Sequence, residues 1–327
     1  MGTMNPIGLF SRHLSKNWAF IAFLLPFLTF LSNSSFASQG GIEDKNNAYT
    51  VGFTFNNAGI PEICSGSLIS PTFILTAGHC VKNTKGDWNT DFQFTAPATA
   101  IDDPINPNIQ PKVKKIFTPV DFTGSENDEI NDVAFIQLDK PLALKGWLRI
   151  ATSAEINSLS QGYPIKASGF GYVFESESVY SRYARSYELS WQKITGEQYV
   201  NEVYSSSATA CAGDSGGPVT TKLPDGSEVL IGNMHSAAKV VNNCGTPDSS
   251  GNFRMQITVA NKYIYLIQPD YAKSFEIAKP SPSAIRMSPK PVIYKITCIK
   301  GKTKKYVTGT NPKCPYGYKQ TAKVRIS

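Results

Sequence analysis

The 327-residue chain is 41% hydrophobic and 17% charged, which excludes a disordered polyampholyte and a polytopic membrane protein and allows one large domain or two ordinary ones. Its formal net charge of +7 would suggest an acidic partner if it were evenly spread. It is not: residues 1–37 carry +2, residues 38–270 carry −7 (17 Lys+Arg against 24 Asp+Glu), and residues 271–327 carry +12 (13 basic residues against Glu276).

The first segment reads as an export signal. Arg12 and Lys16 precede an uncharged apolar run, Trp18–Leu31, and small or polar residues lead to Ala37. That run is short for a bilayer span, and its basic start and small-residue end fit a signal peptide over residues 1–37, cleaved after Ala37. An uncleaved membrane anchor is the competing reading. Both put the rest of the chain outside the cytoplasm, secreted and extracellular. There an even cysteine count reads first as disulfides. Cys64, Cys80, Cys211 and Cys244 fall in the central segment, Cys298 and Cys314 in the basic tail, and no close Cys-x-x-Cys or His-x-x-x-His spacing supports a metal.

Residues 42–270 read as mostly β. Short apolar runs recur at Tyr49–Phe55, Ser67–Leu75, Val133–Leu138, Ile165–Phe170, Pro218–Thr221, Val229–Met234 and Arg254–Val259, separated by turn-rich loops. Many short strands with few helical periods suggest a barrel or sandwich. Asn261–Gln268 is a candidate closing helix. Residues 271–291 read as a Pro-rich linker, densest from Ala278 to Pro291 with Pro280, Pro282, Pro289 and Pro291. In the basic two-cysteine module, 292–327, Val292–Lys300 and Lys304–Thr308 read as a hairpin turning at Gly301. So few residues need a bridge such as Cys298–Cys314 to hold a fold.

Three features carry chemistry. His79, in Thr76-Ala77-Gly78-His79-Cys80, ends an apolar strand, a place where a lone histidine is more often structural than catalytic. Asp132, in Asn131-Asp132-Val133-Ala134, opens a buried strand and by itself reads equally as a capping aspartate. Gly213-Asp214-Ser215-Gly216-Gly217-Pro218 flanks a serine with glycines. Such a turn exposes the hydroxyl and aims successive N–H groups at one point, or is a plain Gly-rich turn. Asp128 and Glu129 lie near Asp132, but Asp132 is preferred because the apolar strand after it would bury its carboxylate.

Together, in this order, the three motifs resemble the chymotrypsin/trypsin family of secreted serine endopeptidases, over about residues 42–268; other serine hydrolases order their triads differently. The resemblance implies an all-β fold of two six-stranded antiparallel barrels with a C-terminal helix, to which the hairpin module is added. It implies Ser215 as nucleophile, His79 as general base then acid, Asp132 as the group orienting the imidazole, and an oxyanion hole from the N–H groups of Gly213 and Ser215. It pairs Cys64 with Cys80 and Cys211 with Cys244. Ser236, in His235-Ser236-Ala237-Ala238, matches the family's serine beside the buried aspartate; His235 is given no chemistry. Thr209, six residues before the nucleophile, and Ala238 would line the specificity pocket. A threonine where an aspartate would select Lys or Arg favours cleavage after a non-basic residue, with Asp248 as a carboxylate whose loop could reach the pocket.

The resemblance further implies activation by cleavage that frees an apolar N-terminus to pair with Asp214. Ile42 is the candidate, which makes 38–41 a short propeptide. Pairing of Asp214 with a basic side chain is the alternative. No cofactor signal or phosphate-cradling loop is present. The partners expected are protein or peptide substrates of a monomeric enzyme. A catalytically silent homologue that binds protein is the second reading. The tail is similar to small two-cysteine C-terminal modules on secreted proteins of Gram-positive, actinobacteria-like organisms. Its lysines, interleaved with Tyr306, Tyr316 and Tyr318, could contact nucleic acid, but export argues against that partner. An anionic cell-wall or membrane surface, with association at the cell surface, is the expectation; a solubilising extension is the alternative.

Overall fold

The computed structural model describes residues 40–103, 105, 109–124, 131–143, 146–173, 179–192, 200–238, 240–241, 243–277, 294–309 and 311–325. The expected export signal, residues 38–39 of the expected propeptide, Asp128, Glu129 and residues 278–291 of the expected linker lie outside them. After a two-residue strand, β1 (Ile42–Glu43), the first barrel is built from β2 (Thr50–Asn57), β3 (Ile60–Ser70), β4 (Phe73–Thr76), β5 (Thr90–Phe94), β6 (Val113–Phe117) and β7 (Ala134–Leu138). Alternation sets their register: in β2, Val51, Phe53 and Phe55 are buried while Thr54 faces solvent. The strands order β5-β2-β3-β4-β7-β6. The ladder is open between β5 and β6, where the Gln110 amide donates to the Phe92 carbonyl at 2.9 Å.

β4 is buried on both faces. Ile74 enters the first barrel's core, whereas Phe73 and Leu75 enter a separate cluster with Leu230 and Tyr263 of the second half. Each such side chain removed from water contributes about 1.5–3 kcal/mol. β4 is thereby fixed from both sides where it delivers the chain to His79.

The second barrel follows β8 (Arg149–Ile150) and a short helix, α1 (Ser153–Ser158). Its strands are β9 (Pro164–Gly169), β10 (Arg185–Trp191), β11 (Val200–Ser205), β12 (Pro218–Lys222), β13 (Glu228–Ala237) and, after the small pair β14 (Val240–Val241) and β15 (Cys244–Gly245), β16 (Phe253–Val259). They form a closed ring, β9-β10-β11-β16-β13-β12 and back to β9, around a core that includes Tyr187, Trp191, Val219 and Ile257. The expected all-β double-barrel fold is therefore present. β10 lay outside the predicted strands, yet its inward Tyr187, Leu189 and Trp191 alternate with outward Glu188 and Ser190.

Two expectations are corrected at the C-terminal side. Asn261–Gln268 is not a helix: the chain makes 3₁₀ turns at Ala260–Lys262 and Ile264–Leu266, and the helix, α2 (Asp270–Ile277), comes later. Pro269 explains the delay, because it disfavours helical geometry at the residue before it yet is tolerated where a helix begins. α2 also carries the packed domain into the segment assigned to the linker. Tyr271 meets Phe73 edge-on with centroids 5.9 Å apart and donates its hydroxyl to the Ile69 carbonyl at 3.1 Å, while Phe275 lies 6.2 Å from Trp147.

The basic module is a three-stranded antiparallel sheet rather than a hairpin. β17 (Tyr294–Lys300) lies between β18 (Thr303–Gly309) and β19 (Lys319–Arg325). Ile296 and Cys298 are fully buried, and Cys298 is bonded to Cys314. Closing a 16-residue loop in this way contributes roughly 3 kcal/mol, much for so small a core.

Candidate active site

His79 sits in a 3₁₀ turn, Gly78–Cys80, immediately after β4. Asp132 is fully buried just before β7, the neighbour of β4. Its carboxylate accepts the His79 backbone N–H at 2.8 Å through one oxygen, and the other lies 2.9 Å from His79 Nδ1. Burial pushes the Asp132 carboxyl up, but the charge and hydrogen bonds of His79, with the charge of His235, outweigh it and hold the group below its ordinary value. Asp132 is therefore an ionised acceptor, which fixes the imidazole proton on Nδ1 and leaves Nε2 as the basic atom.

Ser215 arrives from the other barrel, in the turn before β12. The turn is tied down from three directions. The Ser65 N–H donates to the Ser215 carbonyl at 2.9 Å, and the Ser65 hydroxyl to the Gly213 carbonyl at 2.7 Å. Gly216 N–H donates to the Met234 carbonyl at 2.8 Å. Gly213 and Gly216 have φ of +95° and +80°. At Gly216 a Cβ would stand 2.0 Å from Thr76 Oγ1, so glycine is required there for both conformation and space. Ser65, on β3, is a residue that the sequence reading missed; a serine in an alternating strand carries no local mark of such a role.

His79, Gly213 and Ser215 face one cavity of about 490 Å³. Its lining also includes Glu62, Ile63, Tyr172 and Tyr180, the two tyrosines stacked with centroids 4.2 Å apart, and Ala212, Ser236 and Ala237. The other expected pocket residues are placed differently. Thr209 is fully buried and packed against Gly245, Ala238 is solvent-exposed, and neither lines the cavity. The Asp248 carboxylate is taken up in its own turn by the N–H groups of Ser250 and Asn252.

The structure also separates residues that the sequence had joined. Ser236 does not reach Asp132: its hydroxyl donates to Gln256 at 3.0 Å. His235 takes that place, with Nε2 3.4 Å from Asp132 Oδ2. Ile42, 76% exposed, pairs with Ser186 on β10, whereas Asp214 is buried and accepts the N–H groups of Gly171 and Cys211, each at 2.9 Å. The uncut chain therefore does not bring Ile42 to Asp214. Bonds Cys64–Cys80 and Cys211–Cys244 are both formed. Among the described residues, Cys64, His79 and Cys80 bring potential ligand atoms within 4.8 Å of one another, but the two sulfurs are bonded to each other and offer no thiolate.

Residues 39–262 match the family model described as trypsin. Rat (Rattus norvegicus) chymotrypsin-C is 26% identical over 181 residues, covering 50% of this chain and 63% of that protein. Rabbit (Oryctolagus cuniculus) coagulation factor IX is 26% identical over 192 residues, with 54% and 66% covered. Trypsin zeta of Drosophila erecta is 25% identical over 205 residues, with 58% and 68% covered. The match thus spans less than two thirds of the chymotrypsin-C protein. The family model covers more than half of the present chain, and with the double-barrel fold it makes this protein a member of the trypsin-like serine protease family.

Proposed function

We propose that the protein is an exported serine endopeptidase, of the bacterial type its tail resembles, that acts as a monomer on protein or peptide substrates. Ser215 Oγ attacks the scissile carbonyl and His79 Nε2 takes its proton. Asp132 holds the imidazolium, and the N–H groups of Gly213 and Ser215 receive the oxyanion. The leaving amine takes the proton back from His79, and water then releases the acyl group by the same route. The observation that carries this reading is the 2.9 Å contact of His79 Nδ1 with the buried Asp132, in a cavity that His79 shares with Ser215.

A non-basic residue before the scissile bond suits the cavity, because the second-barrel residues that line it include Ala210, Ala212, Ala237 and the Ser236 hydroxyl, and its lining carboxylate, Glu62, comes from β3 of the first barrel. Cleavage-site profiling on a peptide library tests both points. The expected result is cuts after apolar or modest-sized residues that disappear in Ser215→Ala. Cuts confined to Lys and Arg contradict the specificity, and undiminished cutting by the variant contradicts the mechanism. No cutting by the folded wild type would favour the silent, protein-binding homologue.

Activation follows cleavage before Ile42, which withdraws Ile42 from β10 and brings its ammonium to Asp214. N-terminal sequencing of the active protein is expected to begin at Ile42; a start at Ser38 or Asp44 contradicts this step.

The basic module docks the enzyme on an anionic cell-wall polymer. In register, Lys295, Lys304 and Lys319 share one face of the three-stranded sheet with Tyr306. The ammonium groups of Lys295 and Lys304 lie 4.5 and 5.5 Å from that ring. Salt-sensitive retention on anionic cell-wall material, lost on deletion of residues 278–327, is expected. Equal retention without them rejects the dock, and stronger retention on anionic lipid vesicles assigns it to the membrane.

A further inference from the structure

The strand pairing makes His235 unusual. β13 follows β16 in regular register through Met234↔Ile257, then slips so that Ser236 meets Gln256, leaving His235 as the extra residue of a β-bulge. Strict alternation would turn His235 away from whatever Met234 faces. Met234 packs in the second barrel's core, so His235 shares the face of Asn233, whose amide reaches the Asp132 carbonyl, and Met234 and His235 are buried on opposite faces at 1% and 2% exposure. The imidazole meets the Asp132 carboxylate, with Nε2 3.4 Å from Oδ2, the oxygen that also meets His79 Nδ1. The two rings lie 6.5 Å apart between centroids. One carboxylate therefore carries two imidazoles.

We propose that His235 is a positioning residue of the active site: it donates Nε2–H to Asp132 and fixes the carboxylate plane that orients His79. This rests on the triad reading above. Both donors already on the carboxylate, the His79 backbone N–H and Nδ1, belong to one residue, so the carboxylate can shift with the His79 turn. A third donor, from the other barrel, restrains that shift, and hydrogen bonds to so deeply buried a group reinforce one another. His235 does not touch substrate in this role; it acts only through Asp132 and then His79.

The test measures reaction of the processed protein, cleaved before Ile42, with diisopropyl fluorophosphate, in which a Ser215 Oγ–P bond forms, the P–F bond breaks, fluoride leaves and His79 takes the serine proton. Saturation kinetics separate the inactivation step from reagent binding. In His235→Phe, a ring without a donor, the inactivation rate constant is expected to fall roughly 10- to 100-fold, the range for one hydrogen bond to a buried charged group, with reagent binding unchanged. His235→Gln, whose amide nitrogen reaches about as far as Nε2, is expected to restore most of the rate. An ¹⁵N-histidine NMR spectrum of wild-type protein reads the position of the His235 proton directly. It is expected to show a slowly exchanging proton on His235 Nε2, assigned by its absence in His235→Gln. Wild-type protein that takes no phosphoryl group on Ser215 rejects the triad reading itself. A His235→Phe rate equal to wild type, or a wild-type His235 with its proton on Nδ1, rejects only the role given to His235.

Discussion

Thr258, a second-barrel residue, donates its hydroxyl to the main-chain carbonyl of Asp132 at 3.1 Å. The Asn233 amide donates to the same carbonyl at 3.3 Å. Asp132 opens a first-barrel strand, so the barrel that carries the serine turn also holds the backbone of the acid. The site is therefore set by the relation between the barrels as well as by either one.

Thr258→Val is expected to cost about 1 kcal/mol in urea unfolding, the usual net worth of a neutral hydrogen bond, and also to slow Ser215 modification. Thr221→Val removes a similar bond, from Thr221 Oγ1 to the Pro164 carbonyl at 3.0 Å. It should cost about as much stability with no change in that rate. Equal effects on the rate would mean that the inter-barrel bond does not position Asp132.

Gly216→Ala is expected to destabilise by at least about 2 kcal/mol, because it joins a left-handed conformation to a clash with Thr76 and the Ser65 carbonyl. Gly226, with φ of +85° and open space around its missing Cβ, isolates the conformational part. Chemical denaturation of both variants measures the difference, which should favour Gly226→Ala.

Replacing both Cys64 and Cys80 by Ala is expected to remove roughly 3 kcal/mol of stability for a 16-residue loop and to lower Ser215 reactivity, since the bridge flanks His79. The same change at Cys298 and Cys314 also opens a 16-residue loop, but should leave the reactivity unchanged. Thermal unfolding and modification rates for the two double variants decide it.

The carboxyl of Asp132 is held below its ordinary value of 3.8 in the folded protein. A depressed acid stabilises the fold fully above its unfolded value, and that contribution disappears as pH falls through the folded one. The stability difference between wild type and Asp132→Asn should thus shrink as pH falls below about 4. A difference that persists unchanged well below that pH would mean that the Asp132 carboxylate is not the group being titrated.

Much of this was legible in the sequence, and the exceptions have physical causes. Strands buried on both faces, such as Phe73–Thr76, announce themselves as apolar runs, and the motifs around His79, Asp132 and Ser215 lie at or beside strand ends. The third strand of the basic module, Lys319–Arg325, was not legible, because its described residues are exposed and mostly polar and carry no alternation. Thr90–Phe94 and Val113–Phe117 were missed for the same reason, each having much of its surface outside the core. His235 rather than Ser236 meets Asp132 because it alternates with Asn233, whose side chain faces the same residue. Both faces of β13 are buried, so the sequence does not mark which of them meets the acid. Ser65 and Thr258 belong to the same class: each acts through a backbone carbonyl, and only the folded register brings that carbonyl within reach.

Mass spectrometry of the processed protein, cleaved before Ile42, after treatment with diisopropyl fluorophosphate tests the central claim most directly. One phosphoryl group on the peptide containing Ser215, and none in folded His79→Ala, is the predicted result. Folded wild-type protein that remains unmodified, or that is modified at another residue, would contradict the account.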